Sequence, residues 1–180
     1  MTDRHATTSG GGMIDFAERL ANSETFSTLF RDGMGLVEET AAYLDGDGRV
    51  ESKSLPRAAS LAYATESMRL TTRLMQMASW LLLQRAVNEG EMTPEQAGSE
   101  KTKVRLDSAS PNSGAAGFEE LPEMLRSLIE RSVRLQERIL HIDRMIQDSR
   151  RQAEAVSARN PVAAHLNALN AAFGAGRLDG

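Results

Sequence analysis

Three long stretches of the chain carry apolar residues at helical spacing, and each is bounded by turn chemistry. In the first, Leu29, Leu36 and Tyr43 recur every seven residues beside Phe30, Val37 and Leu44, a broad stripe with the period of an α-helix. Ser23 offers an N-cap hydroxyl and the run DGDG at 45–48 supplies the stop, so the pattern predicts a helix over about residues 24–44. Gly33 and Gly35 fall inside it. Each glycine costs about 1 kcal/mol against alanine in a helix interior, so the helix bends there or a neighbouring backbone approaches closely. The DGDG run lacks the alternating acidic ligands and closing glutamate of a calcium loop and reads as a turn.

The second stretch, Leu55 to Glu89, has no proline after Pro56, which suits a first helical turn, and ends at Gly90, which suits a left-handed cap. A helix of that span is roughly 50 Å long, the spine of an elongated bundle. Leu61, Met68, Met75 and Leu82 lie one heptad apart, and Leu70, Leu74, Met77 and Leu81 make a second stripe. Ala64, Thr71, Thr72, Ala78 and Ser79 lie between them, small enough to let helices approach closely, so two buried faces are expected. Met68, Met75 and Met77 around Trp80 suit either an adaptable binding surface or core, and their place on the two stripes favours core.

The third stretch is the most regular. Leu121, Leu125, Leu128, Ser132, Leu135, Ile139, Ile142 and Ile146 alternate by four and three, as an a/d seam requires. Each of its large apolar members contributes about 1.5–3 kcal/mol gross if buried, enough to anchor the helix. Ile129, Val133 and Leu140 widen the stripe toward a third helix, while Arg126, Glu130, Arg134 and Arg138 form a solvated i,i+4 ladder. Between the second and third stretches, Thr93-Pro94-Glu95-Gln96 has the chemistry of a capped start and predicts a short helix from 94 to about 101. The segment DSASPNSGAAG at 107–117 is a loop.

The chain ends differ from this middle. Residues 1–12 are polar and glycine-rich, too poor in apolar surface to order, and Met13 opens the structured part, with Ile14, Phe16, Ala17 and Leu20 on a short helical turn. After Pro161 the chain turns rich in Gly, Ala and Asn, yet Val162, Leu166, Leu169 and Phe173 still fall on one helical face. A helix-in-groove docking segment has that pattern; the other readings are that it folds back onto the bundle or stays disordered. The expected organisation is a disordered tail at 1–12, a bundle domain at 13–157 and a flexible tail at 158–180. The expected fold is all-α, an elongated antiparallel three-helix bundle with a short extra helix.

Composition narrows the function. The net charge of −4 opposes a dedicated nucleic-acid binder, whose affinity rests on a basic stripe facing phosphates. The longest apolar run, Leu74 to Leu83, is broken by Gln76 and Ser79 and falls short of the roughly 20 residues a membrane helix needs. The first residues have no apolar signal core. No cysteine is present, which removes disulfides and thiolate chemistry and is what a reducing cytoplasm commonly yields.

Catalysis has no visible carrier. The histidines are His5, His141 and His165, and only His141 is on a firm helix. With Glu137 it makes a Glu-x-x-x-His pair, whereas bundle di-iron sites need Glu-x-x-His twice and two further glutamates, so no metal and no cofactor is expected. The segment RLQERILHIDRMI superficially resembles the first helix of helical chorismate mutases, but those sites gather a lysine, and Lys53, Lys101 and Lys103 all fall in loops or short elements. No serine elbow, phosphate loop or dinucleotide loop occurs.

The run YATESMRLTTRLMQMASWLLLQRAVNEGEMTPEQA from Tyr63 to Ala97, the segment LPEMLRSLIERSVRLQERILHID from Leu121 to Asp143 and the segment GMGLVEETAAYL resemble the RcdA-like proteins of alphaproteobacteria. The resemblance covers most of residues 14–150, is specific in the second helix and generic in the third. It implies a three-helix bundle that forms homodimers in the cytoplasm at the cell pole, with a flexible C-terminal tail. It also implies a non-enzymatic adaptor that brings cargo, including the cell-cycle regulator CtrA, to the ClpXP protease. A response-regulator-like priming factor and a cyclic-di-GMP-binding partner protein act with such adaptors. The competing reading is a structural dimerisation or scaffold module at the pole without a role in proteolysis. The tail residues Val162, Leu166, Leu169 and Phe173 are the candidate protein-binding residues.

Overall fold

In a computed structural model of the chain the described residues are 24–104, 106, 114 and 116–158, and among them there is helix and no strand. The elements are α1 (Glu24–Asp45), α2 (Asp47–Glu51), a 3-10 turn (Ser52–Ser54), α3 (Arg57–Asn88), α4 (Pro94–Lys103) and α5 (Glu123–Ala158). The all-α bundle follows the sequence pattern closely at its ends. Pro56 is the N-cap of α3, and Gly90 takes φ 74° just past its last turn. There Glu91 N–H donates to the Ala86 carbonyl at 2.9 Å and Gly90 N–H to that of Val87 at 3.1 Å, the Schellman closure. At α4 the Thr93 hydroxyl accepts from Gln96 N–H while the Gln96 side chain accepts from Thr93 N–H, a complete capping box.

The chain falls into two compact groupings, residues 20–143 and residues 1–19 with 144–180. In the second, the described part is the C-terminal stretch of α5, where Arg151 and Asp148 pair at 3.5 Å. The first holds every buried residue among those described, from Phe26 to Ile142.

Within residues 20–143, α1 runs antiparallel to both long partners. Phe30 meets the Arg85 guanidinium 5.0 Å from its ring centroid, Gly33 lies against Leu81, and Gly48, beyond the far end of α1, lies against Tyr63. Toward α5 the order also reverses, with Asp32 3.6 Å from Arg138 and Glu39 2.6 Å from Arg131. Between α3 and α5 the order is parallel: Arg73 bonds Ser132 and, further along both helices, Trp80 bonds Asp143. Two parallel neighbours in sequence need a connection that travels the length of a helix. From Asn88 back to Ala58 is about 45 Å of helix, and the connection that holds α4 ends there, at Gly117. Gly117, at φ 83°, lands where a Cβ would be 2.6 Å from the Ala58 carbonyl carbon and the Ala59 nitrogen.

The core is the meeting of three stripes. Leu29, Leu36 and Tyr43 of α1, Leu70, Leu74, Met77 and Leu81 of α3, and the α5 seam from Leu125 to Ile142 are all buried. Leu121 is buried just ahead of α5, and Ile146 beyond the core is half-buried. Ser132 interrupts the seam for a reason. The guanidinium of the fully buried Arg73 donates to its hydroxyl at 2.6 Å, and that hydroxyl donates to the Ile129 carbonyl at 2.6 Å. Burial lowers the Arg73 pKa, the nearby Glu66 opposes that shift, and the layer fixes α3 against α5 in one register.

Candidate interaction surface

The opposite face of α3 departs from expectation. Leu61, Met68, Met75 and Leu82, read from sequence as one of two buried stripes, are 71%, 72%, 66% and 54% exposed. The heptad spacing is real, but the other described helices pack on the opposite, buried side of α3, so among the described residues no helix covers this stripe. The Met-rich segment around Trp80 therefore divides. Met77 and Trp80 are core, whereas Met68 and Met75 are surface.

What surrounds those four side chains makes the surface unusual. From Ala58 to Gln84 every exposed residue of α3 is Ala, Leu, Thr, Met or Ser, and none carries a charge or an amide. The charges of this stretch are turned inward or sideways: Glu66 and Arg73 are buried, and half-buried Arg69 bonds Glu66 at 2.8 Å. The hydroxyls are also occupied. Thr65, Thr71, Thr72 and Ser79 each donate to the carbonyl four residues back, at 3.0, 2.8, 2.9 and 2.8 Å, which leaves their methyl and methylene groups outward. The face from Leu61 to Leu82 is thus an uncharged strip about 31 Å long with large side chains one heptad apart and small ones between. A contiguous exposed apolar strip on a helix is the usual mark of a protein contact.

Elsewhere among the described residues the exposed large apolar side chains are the isolated Val50 and Met124, and charged pairs are frequent. Along α5 the outer ladder holds only in part: Arg134 pairs with Glu130 at 2.6 Å, while Arg126 turns to Glu119 at 3.7 Å and Arg138 to Asp32. Arg131 and Glu39 make a two-pronged contact at 2.7 and 2.6 Å, and the Arg131 hydrogen bond holds the Glu39 carboxyl below its ordinary pKa. At the start of α3, Tyr43 donates to Glu51 at 2.7 Å, and burial followed by that bond pushes the phenol pKa well up. Tyr63 beside it is also raised, chiefly by burial. These phenols lock the 47–54 turn onto α3 and offer no reactive group.

The far end of the grouping contains a polar cluster that spacing alone does not announce. Trp80 Nε1–H donates to Asp143 Oδ1 at 2.7 Å, Lys101 Nζ lies 4.3 Å from the Trp80 ring centroid and donates to Gln84 Oε1 at 2.6 Å, and Gln84 donates to Asn88 at 2.9 Å. Lys101 is also 3.9 Å from Asp143. This cluster clamps α4 between α3 and α5 by cation–π contact and charge-assisted bonds. Nearby, Gln136 of α5 donates to the Leu106 carbonyl and ties down the next part of the crossover.

The residues weighed for chemistry do not converge. Glu137 and His141 are both exposed on α5, and among the described residues no three His, Asp or Glu side chains group as metal ligands would. No helix among them is long and apolar enough to cross a membrane. Val162, Leu166, Leu169 and Phe173, the tail residues with a docking pattern, lie outside the described residues.

Comparison with known proteins adds two findings. A family profile described as a protein of unknown function, DUF1465, matches residues 17–173. The crystal structure of RcdA from Caulobacter crescentus CB15 is 56% identical to this chain, with a TM-score of 0.59, over 72% of this chain and 96% of that one. No curated protein matches the chain.

Proposed function

This chain belongs to the DUF1465 family, the family of RcdA, and on that premise we propose that it is a non-enzymatic adaptor in regulated proteolysis. It delivers cargo proteins, among them a cell-cycle response regulator, to the ClpXP protease. The observation that carries this reading is the likeness to RcdA along nearly the whole of that protein. The geometry supports it from a second side, because the surface that stands out is a docking face rather than a cleft with reactive groups.

An adaptor acts by effective concentration. When one surface holds cargo and another holds the enzyme complex, the encounter between them becomes intramolecular and weak contacts suffice. In this scheme the chain acts with a response-regulator-like priming factor and a cyclic-di-GMP-binding partner protein, in the cytoplasm at the cell pole. The uncharged α3 face joins two copies into a homodimer, and the tail residues Val162, Leu166, Leu169 and Phe173 provide a partner contact. The bundle domain, proposed as 13–157, is the rigid carrier and the tail at 158–180 the reach.

Reconstituted turnover tests the proposal. Purified ClpXP, priming factor and cargo should degrade the cargo faster when this protein is added, and the rate should rise, saturate and then fall at excess, because surplus tether separates cargo from protease. Cargo turnover that ignores the protein at every concentration would leave the scaffold reading, a dimerisation module at the pole.

A further inference from the structure

Very little apolar surface attaches α4 to the bundle. Of its residues only Ala97 is buried, and none has a large apolar side chain, whereas α1 and α3 each bury several. A helix that buries one methyl group depends on polar contacts to stay in place. Lys101 supplies them: its Nζ lies 4.3 Å from the Trp80 ring centroid, donates to Gln84 Oε1 at 2.6 Å and stands 3.9 Å from Asp143 Oδ1. Under that ammonium the indole of Trp80 is fully buried. We propose that α4 is a latched strap: it lifts off α3 and α5 as a folded unit while the bundle beneath stays folded, Lys101 is its latch, and Trp80 is what it uncovers.

The bonds on either side of the contact divide cleanly between strap and bundle. Within α4, the capping box of Thr93 and Gln96, the Thr102 hydroxyl on the Ser99 carbonyl at 2.7 Å and the Lys103–Glu100 pair at 2.7 Å all travel with the helix. On the bundle side, Trp80 donates to Asp143 at 2.7 Å and so joins α3 to α5 without using α4. The ends of the strap allow the motion. Gly90 ahead of it holds φ 74° with open space around its Cβ position, and Val104 behind it is extended, so backbone outside the helix can absorb the rotation. Opening costs the cation–π contact, the charge-assisted bond and one small apolar contact, far less than separating the three long helices, so it precedes global unfolding. Once open, the molecule presents an indole face beside the Gln84 and Asp143 oxygens. A partner then meets a surface that the closed form hides, with the core unchanged.

The chain has no cysteine, and Trp80 is its one tryptophan, so an introduced thiol and the native fluorescence each report a single place. Ala97→Cys puts a thiol on the buried side of α4, and Thr40→Cys puts one at a buried position of α1. The rate of maleimide labelling, divided by that of the same variant unfolded in urea, measures how often each thiol is uncovered. Position 97 should be uncovered at least about a hundredfold more often than position 40. Adding Lys101→Ala should raise the rate at 97 by about tenfold and leave that at 40 unchanged. Equal protection at the two positions would overturn the strap, since α4 would then leave only when the chain unfolds, and a rate at 97 indifferent to Lys101→Ala would overturn the latch. A bulky maleimide at 97 holds α4 away, so Trp80 emission should move to longer wavelength and become open to acrylamide quenching while helical circular dichroism is kept. Unchanged emission would show that α4 is not the cover of Trp80. Hydrogen exchange on the wild-type chain decides the matter if Ala97→Cys disturbs packing: α4 amides should exchange well before those of α3 and α5, and exchange of all three together would overturn the strap.

Discussion

Gly33 and Gly35 are two residues apart on α1 and meet opposite surroundings. A Cβ at Gly33 would stand 2.5 Å from Leu81 Cδ1, a fully buried side chain, whereas a Cβ at Gly35 meets nothing within 4 Å. Alanine removes the same helix penalty of about 1 kcal/mol at both, but at Gly33 overpacking of about 1–3 kcal/mol opposes the gain. Urea denaturation should find Gly35→Ala more stable than the parent by about 0.5–1 kcal/mol and Gly33→Ala no more stable, or less. A Gly33→Ala protein as stable as Gly35→Ala would mean that Leu81 has room to move. The two glycines show what a sequence can and cannot tell at this scale. Their cost was visible in the helical pattern, and close approach of a neighbouring backbone was one of two readings for both, but Gly33 is crowded by the Leu81 side chain instead and Gly35 by nothing. Ser132 is similar: the seam shows a hydroxyl among large apolar residues, yet its partner Arg73 is 59 positions away on another helix. No local spacing links the two.

Helix ends obey local rules, and these were legible. The Pro56 start, the Gly90 stop and the Thr93 capping box were all written within four or five residues of where they act, while Ser23, the expected cap of α1, lies outside the described residues. Which face of a helix is covered is a tertiary matter, and there the expectation for Leu61, Met68, Met75 and Leu82 failed. An apolar heptad line says that a face seeks cover, not that its own chain supplies it. The crossover carries a test at this scale. Gly90 and Gly117 both hold left-handed φ, 74° and 83°, so a side chain at either costs about 1–2 kcal/mol for the backbone alone. Gly90 has open space around its Cβ position, while Gly117 presses on the backbone of Ala58 and Ala59 at the head of α3. Backbone in a helix cannot swing aside as a leucine tip can. Gly117→Ala should therefore lose at least about 1 kcal/mol more than Gly90→Ala in thermal or urea unfolding. Equal losses would show that the loop end at Gly117 shifts freely and that the close approach does not hold the crossover in place.

For the whole molecule, stability and delivery should separate along the chain. Every buried residue among those described lies between Phe26 and Ile142, so removing residues 161–180 takes away none of that core. The same deletion removes Val162, Leu166, Leu169 and Phe173, which the adaptor proposal uses as a partner contact. Unfolding of the truncated chain should accordingly match the full chain within about 0.5 kcal/mol. Cargo turnover in the reconstituted protease assay should fall toward the rate without adaptor, because losing one of two linked contacts abolishes the effective concentration that the link creates. A truncated chain that delivers as well as the full one would place every partner contact on the bundle. A truncated chain destabilised by more than about 1 kcal/mol would instead make the segment part of the folded core, and the loss of delivery would then report folding rather than docking. Charging the α3 face through Met68→Glu gives the complementary case, since it spares the tail and alters self-association. Two variants that each keep the fold and each reduce delivery, one by the tail and one by the strip, would identify two separate working surfaces.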